Sequence, residues 1–186
     1  MAEDINIFAD HCVFIRSVYL HCEILFKYST DKDKTRMSQV APIFFGDLNA
    51  ILREYIILAV CKITDPAQDN RKNDNHTIDY LIKHYDCRAD VATAERLDRL
   101  CARIEAFRKK LLPARNKLIA HSDRKTIMEG TPLGATEPGE WDQFWHDLDD
   151  VVLIIQEKAL VERCRITEVA MLSDADSLLR VIRDDD

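Results

Sequence analysis

The sequence predicts an all-α fold, an antiparallel helical bundle, and three observations predict it. Apolar residues recur in steps of three and four through each long segment, and no stretch alternates as a half-buried strand would. Glycine and proline number only four and five in 186 residues, and three of those glycines and two of those prolines fall within 129–140. Apolar residues make up 47% and charged residues 32%, which suits helices with one buried stripe and one solvated face. The length fits one domain over 1–186, with 129–140 as a loop before the last long helix.

Each element follows from its own pattern. Phe8, Cys12, Ile15, Tyr19, Cys22 and Phe26 form a stripe on a first helix reaching about Tyr28, followed by a charged connector, TDKDKT. A second helix is expected over 42–63, with Pro42 in its first turn and Phe44, Leu48, Ile51, Tyr55 and Leu58 on one face. Its later part, YIILAVC, is apolar nearly all round, which marks this helix as central. Asp65-Pro66 stops it, and DNRKNDN is a polar loop. Thr77 can cap a short helix over 78–85.

Leu97, Leu100, Ile104, Phe107 and Leu111 then lie on one stripe of a helix opened by Asp90 or Thr93 and interrupted at Pro113. The segment 115–120 contains no breaker and reads as helical. Trp141, Phe144, Leu148, Val152, Ile155 and Ala159 mark a long helix over 141–164. Ser173 and Asp176 resemble a capping pair for a terminal helix with Leu178, Leu179 and Ile182.

Several function classes drop out. No apolar run is long enough to span a bilayer, and the start MAEDINIF lacks a secretory signal, so the expected location is the cytoplasm. Cys12, Cys22, Cys61, Cys87, Cys101 and Cys164 are scattered without a CxxC pair, mostly within apolar-periodic stretches, and are expected as reduced core thiols. His84 with Cys87, and His11, Cys12, His21 and Cys22, lack four convergent ligands at a recognised spacing, so no metal site is expected. P-loop, GxGxxG and nucleophile-elbow motifs are missing. Asp142, Asp147, Asp149 and Asp150 read as an exposed acidic face, and Trp141 and Trp145 as core or dimer contacts.

The segment ARNKLIAHSD, 114–123, carries chemistry. It places a permanent cation, Arg115, beside an amide, Asn116, and near an imidazole, His121, that titrates close to neutral pH. Such a set suits phosphodiester chemistry, which needs a base for a proton and donors for the charge growing on phosphorus. His121 suits the first task and Arg115 the second, with Asn116 orienting either partner. The total charge is −7, yet 103–125 holds eight basic residues against two acidic ones. Within and beside that cluster, Arg108, Lys109, Lys110, Lys117, Arg124 and Lys125 are candidates for steering RNA phosphates.

With RNKLIAHSD after a long amphipathic helix, CKITDPA upstream and DADSLLRVIR near the end, the chain resembles the HEPN superfamily (higher eukaryotes and prokaryotes nucleotide-binding domains), in particular its abortive-infection U-type branch. The resemblance implies a HEPN-type bundle with short accessory helices. It also implies a metal-independent endoribonuclease, without cofactor, acting as a toxin or defence effector through Arg115, Asn116 and His121. On a straight helix Arg115 and His121 would stand roughly 120° apart around the axis and about 9 Å apart along it. A homodimer sharing its clefts across a two-fold axis, as the resembling family does, would reunite them.

Two other readings stand beside this one. In a structural reading, Asn116 bridges backbone, His121 ends a helix and Arg115 pairs with an acidic neighbour. In the other, the chain is a non-catalytic helical module that binds RNA or a nucleotidyltransferase-like antitoxin.

Overall fold

A computed structural model describes residues 2–69, 72–119, 134–168 and 174–184. Helix α1 spans Ala2–Cys22 and runs into a wide π-helical turn, Glu23–Lys27. Then come α2 (Asp31–Val40), α3 (Pro42–Ile63), α4 (Ile78–His84) and α5 (Val91–Ala114), which continues into a second π-helical turn, Arg115–Ile119. Helices α6 (Glu140–Ala159) and α7 (Asp174–Asp184) follow. Among the described residues there is no strand, only an isolated bridge between Gln68 and Asp74.

Four long helices close a ring: α1 packs on α3 and α6, and α5 packs on the same two. The ring forms because the predicted stripes converge. Phe8, Cys12, Ile15, Leu97, Leu100, Ile104, Leu111, Phe144, Leu148, Val152 and Ile155 are all buried in one core. Burying each of the larger aliphatic or aromatic side chains is worth about 1.5–3 kcal/mol. Trp145 is core, and Trp141 stacks on Tyr19 with ring centroids 5.0 Å apart. The expected caps are present: Thr77 accepts from the Tyr80 amide at 3.3 Å and Asp90 from the Thr93 amide at 2.8 Å.

Four expectations need correction. The charged stretch TDKDKT opens α2, because Thr30 and Asp33 form a reciprocal capping box that starts a helix in an otherwise polar sequence. The stripe chosen on α3 is partly the solvent side: Phe44 and Ile51 are 59% and 61% exposed, while Phe45, Ile56, Ala59, Val60, Cys61 and Ile63 are buried. With apolar residues nearly all round, periodicity alone could not choose the face.

The last long helix stops at Ala159 instead of 164. Leu160 takes a left-handed conformation, φ 55 and ψ 37, and its amide and that of Val161 turn back onto the final carbonyls. Finally, Asp147 and Asp149 are buried, not exposed. Asp147 accepts from Arg103 Nε at 2.9 Å and from Gln143 at 3.0 Å. Asp149 accepts from the Ile166 amide at 2.6 Å and from Thr167 Oγ1 at 2.7 Å. These partners replace the water that each carboxylate gives up.

A satellite core of Leu25, Met37, Phe45, Ala175, Leu179 and Ile182 seats α7. Arg183 locks it by donating from Nε and Nη2 to Asp33 at 2.6 and 2.7 Å. The Arg183 guanidinium, helped by Thr30, holds the Asp33 carboxyl well below the usual carboxylate range. A depressed folded-state pKa contributes stability above the unfolded value of about 3.9 and loses it as pH falls further. Melting the protein from pH 7 to pH 3 should therefore lower the transition less in Asp33→Asn than in the parent, and an identical acid dependence in both would contradict this account.

Candidate functional site

The site forms where the C-terminal end of α3 meets the last turns of α5. Asp65, just past α3, accepts hydrogen bonds from two arginines of different turns. Arg108 Nη2 donates to Asp65 Oδ1 at 2.5 Å. From Arg115, Nη1 donates to Oδ1 at 3.3 Å and Nη2 to Oδ2 at 3.2 Å, an end-on fork. The pairing of Arg115 with an acidic residue, one of the alternatives raised from the sequence, is thus present, and its partner lies 50 positions away.

Local sequence explains why Arg115 stands there. Pro113 lies inside α5, has no amide hydrogen and crowds the preceding turn, which disturbs the i→i−4 ladder. The helix responds by widening, and the next residues, Arg115–Ile119, wind as a π-helical turn. The straight-helix geometry behind the 120° offset therefore does not hold at its starting point. Gly134 shapes the other side. It has φ 76, where a side chain is strained, and a Cβ there would lie 3.1 Å from Ala114 Cβ, so glycine eases the close approach of the chain to the residue before Arg115.

The three charged side chains differ in access. That of Arg108 is 12% exposed, that of Asp65 20% and that of Arg115 29%, so Arg115 is the more open cation. Arg108 also donates to Glu105 at 3.3 Å, and its Nε is buried with no acceptor among the described residues. Burial pulls the Arg108 pKa down, but its bond to Asp65 and the charges of Asp65 and Glu105 outweigh this and raise it. Beneath the pair, burial pushes the Cys61 thiol up, while Arg115 and Arg108 partly oppose the shift.

The other predicted residues are dispersed. Asn116 and Lys117 are exposed on the widened turn. Lys109 is largely exposed, 3.9 Å from Glu105, and Lys110 pairs with Glu140. Arg108 points inward as an anchor for Asp65, not outward as a free cation. His121, Arg124 and Lys125 lie outside the described residues. Of the histidine and cysteine sets singled out in the sequence, Cys12, Cys22 and Cys87 are buried, and burial raises the Cys87 thiol to about 11, while His11 and His84 are exposed. Cys164, expected in the core, is exposed as well because the last long helix ends before it.

A cavity of about 310 Å³ adjoins Arg108, with Asp65 and Arg108 in its lining and Ile78, Ile82 and Ile104 as an apolar wall; Arg115 is not among its lining residues. A larger one, about 560 Å³, lies between the loop after α3 and α4, and neither Arg108 nor Arg115 lines it. Asp65 is the residue that sequence reasoning missed. In the sequence it stands as a helix stop and within the CKITDPA stretch of the resemblance, with no role of its own; a carboxylate that follows the end of a buried helix is the signal that could have found it.

An all-α bundle that carries an Arg-Asn pair on a widened turn, braced by a carboxylate from a neighbouring helix end, defines a class of helical domain with a polar motif at one end. The family model HEPN_AbiU2 (AbiU2) matches residues 5–159, and the chain belongs to that family. No curated protein and no solved structure matches the chain. Membership points to a nuclease or abortive-infection-related role. Helix α7 lies beyond the matched span, while Leu25, Met37 and Phe45, the residues that seat it, lie within. Among the described residues, no helix is long and apolar enough to cross a membrane.

Proposed function

We propose that the protein is a cytoplasmic, metal-independent endoribonuclease, a HEPN toxin or defence effector that cleaves RNA by attack of a 2′-hydroxyl on the adjacent phosphorus. The observation that carries this reading is Arg115, the more open of the two arginines on Asp65, standing at the first position of the turn that bears the motif. Two of its five N–H donors face Asp65, which leaves three for phosphate oxygens. Arg115 stabilises the charge that builds on the phosphorane, and His121 takes the 2′-hydroxyl proton as the 2′-oxygen bonds to phosphorus. The P–O5′ bond breaks to leave a 2′,3′-cyclic phosphate, while the departing 5′-oxygen takes a proton from the histidinium or from water. Asn116 orients Arg115 or His121.

Lys109, Lys110, Lys117, Arg124 and Lys125 steer the RNA backbone, and Arg108 supports them from within. Two chains pair as a homodimer, so that each cleft draws on both copies. A nucleotidyltransferase-like antitoxin is the partner expected to restrain it.

The test is incubation of the purified protein with RNA in EDTA. Cleavage leaving 2′,3′-cyclic phosphate ends is expected. Activity that EDTA abolishes would defeat the metal-free mechanism. RNA that is bound but left intact would favour the non-catalytic module instead.

A further inference from the structure

We infer that Asp65 is the positioning residue of this site: its carboxylate fixes the Arg115 guanidinium end-on and so aims the side edge of that group, Nε and the flank of Nη2, at the phosphate. The inference rests on the ribonuclease reading and adds to it a residue far from the motif in sequence. Three observations carry it.

The first is how firmly Asp65 itself is placed. Thr64 Oγ1 donates to the Val60 carbonyl at 2.7 Å, and the Asp65 amide donates to the Lys62 carbonyl at 3.3 Å. On the other side Pro66 fixes the backbone, and its carbonyl accepts from Asn75 Nδ2 at 3.0 Å. Ala67 is held twice: its amide donates to Asp79 Oδ2 at 3.0 Å, and its carbonyl accepts from the Asn75 amide at 2.7 Å. A carboxylate on such a frame makes a rigid reference point.

The second is the inequality of its two bonds. Arg108, nearly enclosed, makes the short contact at 2.5 Å and anchors the carboxylate. Arg115, more open, makes the longer pair at 3.2 and 3.3 Å and keeps its side edge free of Asp65. The third is the position of Arg115 where α5 passes into the π-helical turn: its backbone is still helical, φ −51 and ψ −52, while its long side chain is 29% exposed and reaches towards solvent. A long side chain there needs a tether if it is to meet a phosphate in one orientation.

Charge makes the inference separable from a plain structural role. Asp65 places a negative charge beside two cations that would otherwise draw RNA more strongly, so its removal should favour ground-state binding while spoiling the geometry of the reaction. Asp65→Asn should lower kcat by about 10–100-fold. The same variant should bind an RNA carrying 2′-O-methyl groups, which cannot be cut by 2′-hydroxyl attack, as tightly as the parent or more tightly. Asp65→Glu should recover part of the rate. In ¹⁵N spectra, the Nε–H signal of Arg115 should be dispersed in the parent and averaged towards free arginine in Asp65→Asn.

Parental kcat in Asp65→Asn would overturn the inference and leave the ribonuclease reading standing. So would loss of rate and of 2′-O-methyl RNA affinity in proportion to a fall in melting temperature. If the parent fails to cut RNA, the ribonuclease reading fails, and the Arg115 Nε–H signal decides for or against positioning by itself.

Discussion

Alanine at Arg115 or at His121 should reduce RNA cleavage by about 100-fold or more, because each removes a group that acts on the charge or the proton of the transition state. Folding should survive in Arg115→Ala, since the side chain is nearly a third exposed and its partner Asp65 keeps the shorter bond to Arg108. The melting temperature should fall by only a few degrees. Initial rates on one RNA, with circular dichroism as the control for folding, check both statements. A parental rate in His121→Ala would remove the histidine from the mechanism.

The same two variants test the dimer. Mixed after subunit exchange, Arg115→Ala and His121→Ala chains form heterodimers in which one cleft receives an intact Arg115 and an intact His121 from opposite subunits. Recovery of part of the activity is expected. Light scattering that shows a fully active monomer would end the shared-cleft arrangement and require both residues to converge within one chain.

Asp149→Ala should be the most damaging single change to stability outside the apolar core, at about 3 kcal/mol. The carboxylate is fully buried near the middle of α6, and three groups of the chain beyond that helix close on it: the Ile166 amide, Thr167 Oγ1 and Arg165 Nη1, the last at 3.3 Å. Alanine leaves the buried Ile166 amide without an acceptor and releases the segment that caps the end of α6. For a chain of this size the melting temperature should drop by roughly 6–12 °C. Asp142→Ala on the exposed side of the same helix should stay within about 0.5 kcal/mol of the parent. Equal effects at the two positions would mean that the burial of Asp149 contributes nothing.

These two sites show where sequence reasoning reached and where it stopped. The stripe from Leu97 to Leu111 was legible because burial of one helix face imposes a period of 3.6, and each of its five residues is buried. Phe44 and Ile51 were assigned to the wrong side because α3 is apolar around much of its circumference. Helix α2 was missed because its start depends on a pair of polar side chains, Thr30 and Asp33, and not on an apolar pattern. Asp147 and Asp149 looked solvated because a carboxylate is buried only when distant donors arrive to meet it, and Arg103, Ile166 and Thr167 are brought there by the fold.

By itself the sequence determined the helical class, the number of long helices, the caps at Thr77 and Asp90, and the place of Arg115, Asn116 and His121 in one short motif. All of these follow from interactions among residues a few positions apart, which periodicity and capping chemistry report directly. Only the tertiary structure decided that Pro113 widens the helix at Arg115, that Arg108 turns inward, and that both arginines share one carboxylate from the end of α3. Arg115 and Asp65 are 50 positions apart, and a contact at that distance is chosen by how four helices pack around a common core, which no local pattern encodes.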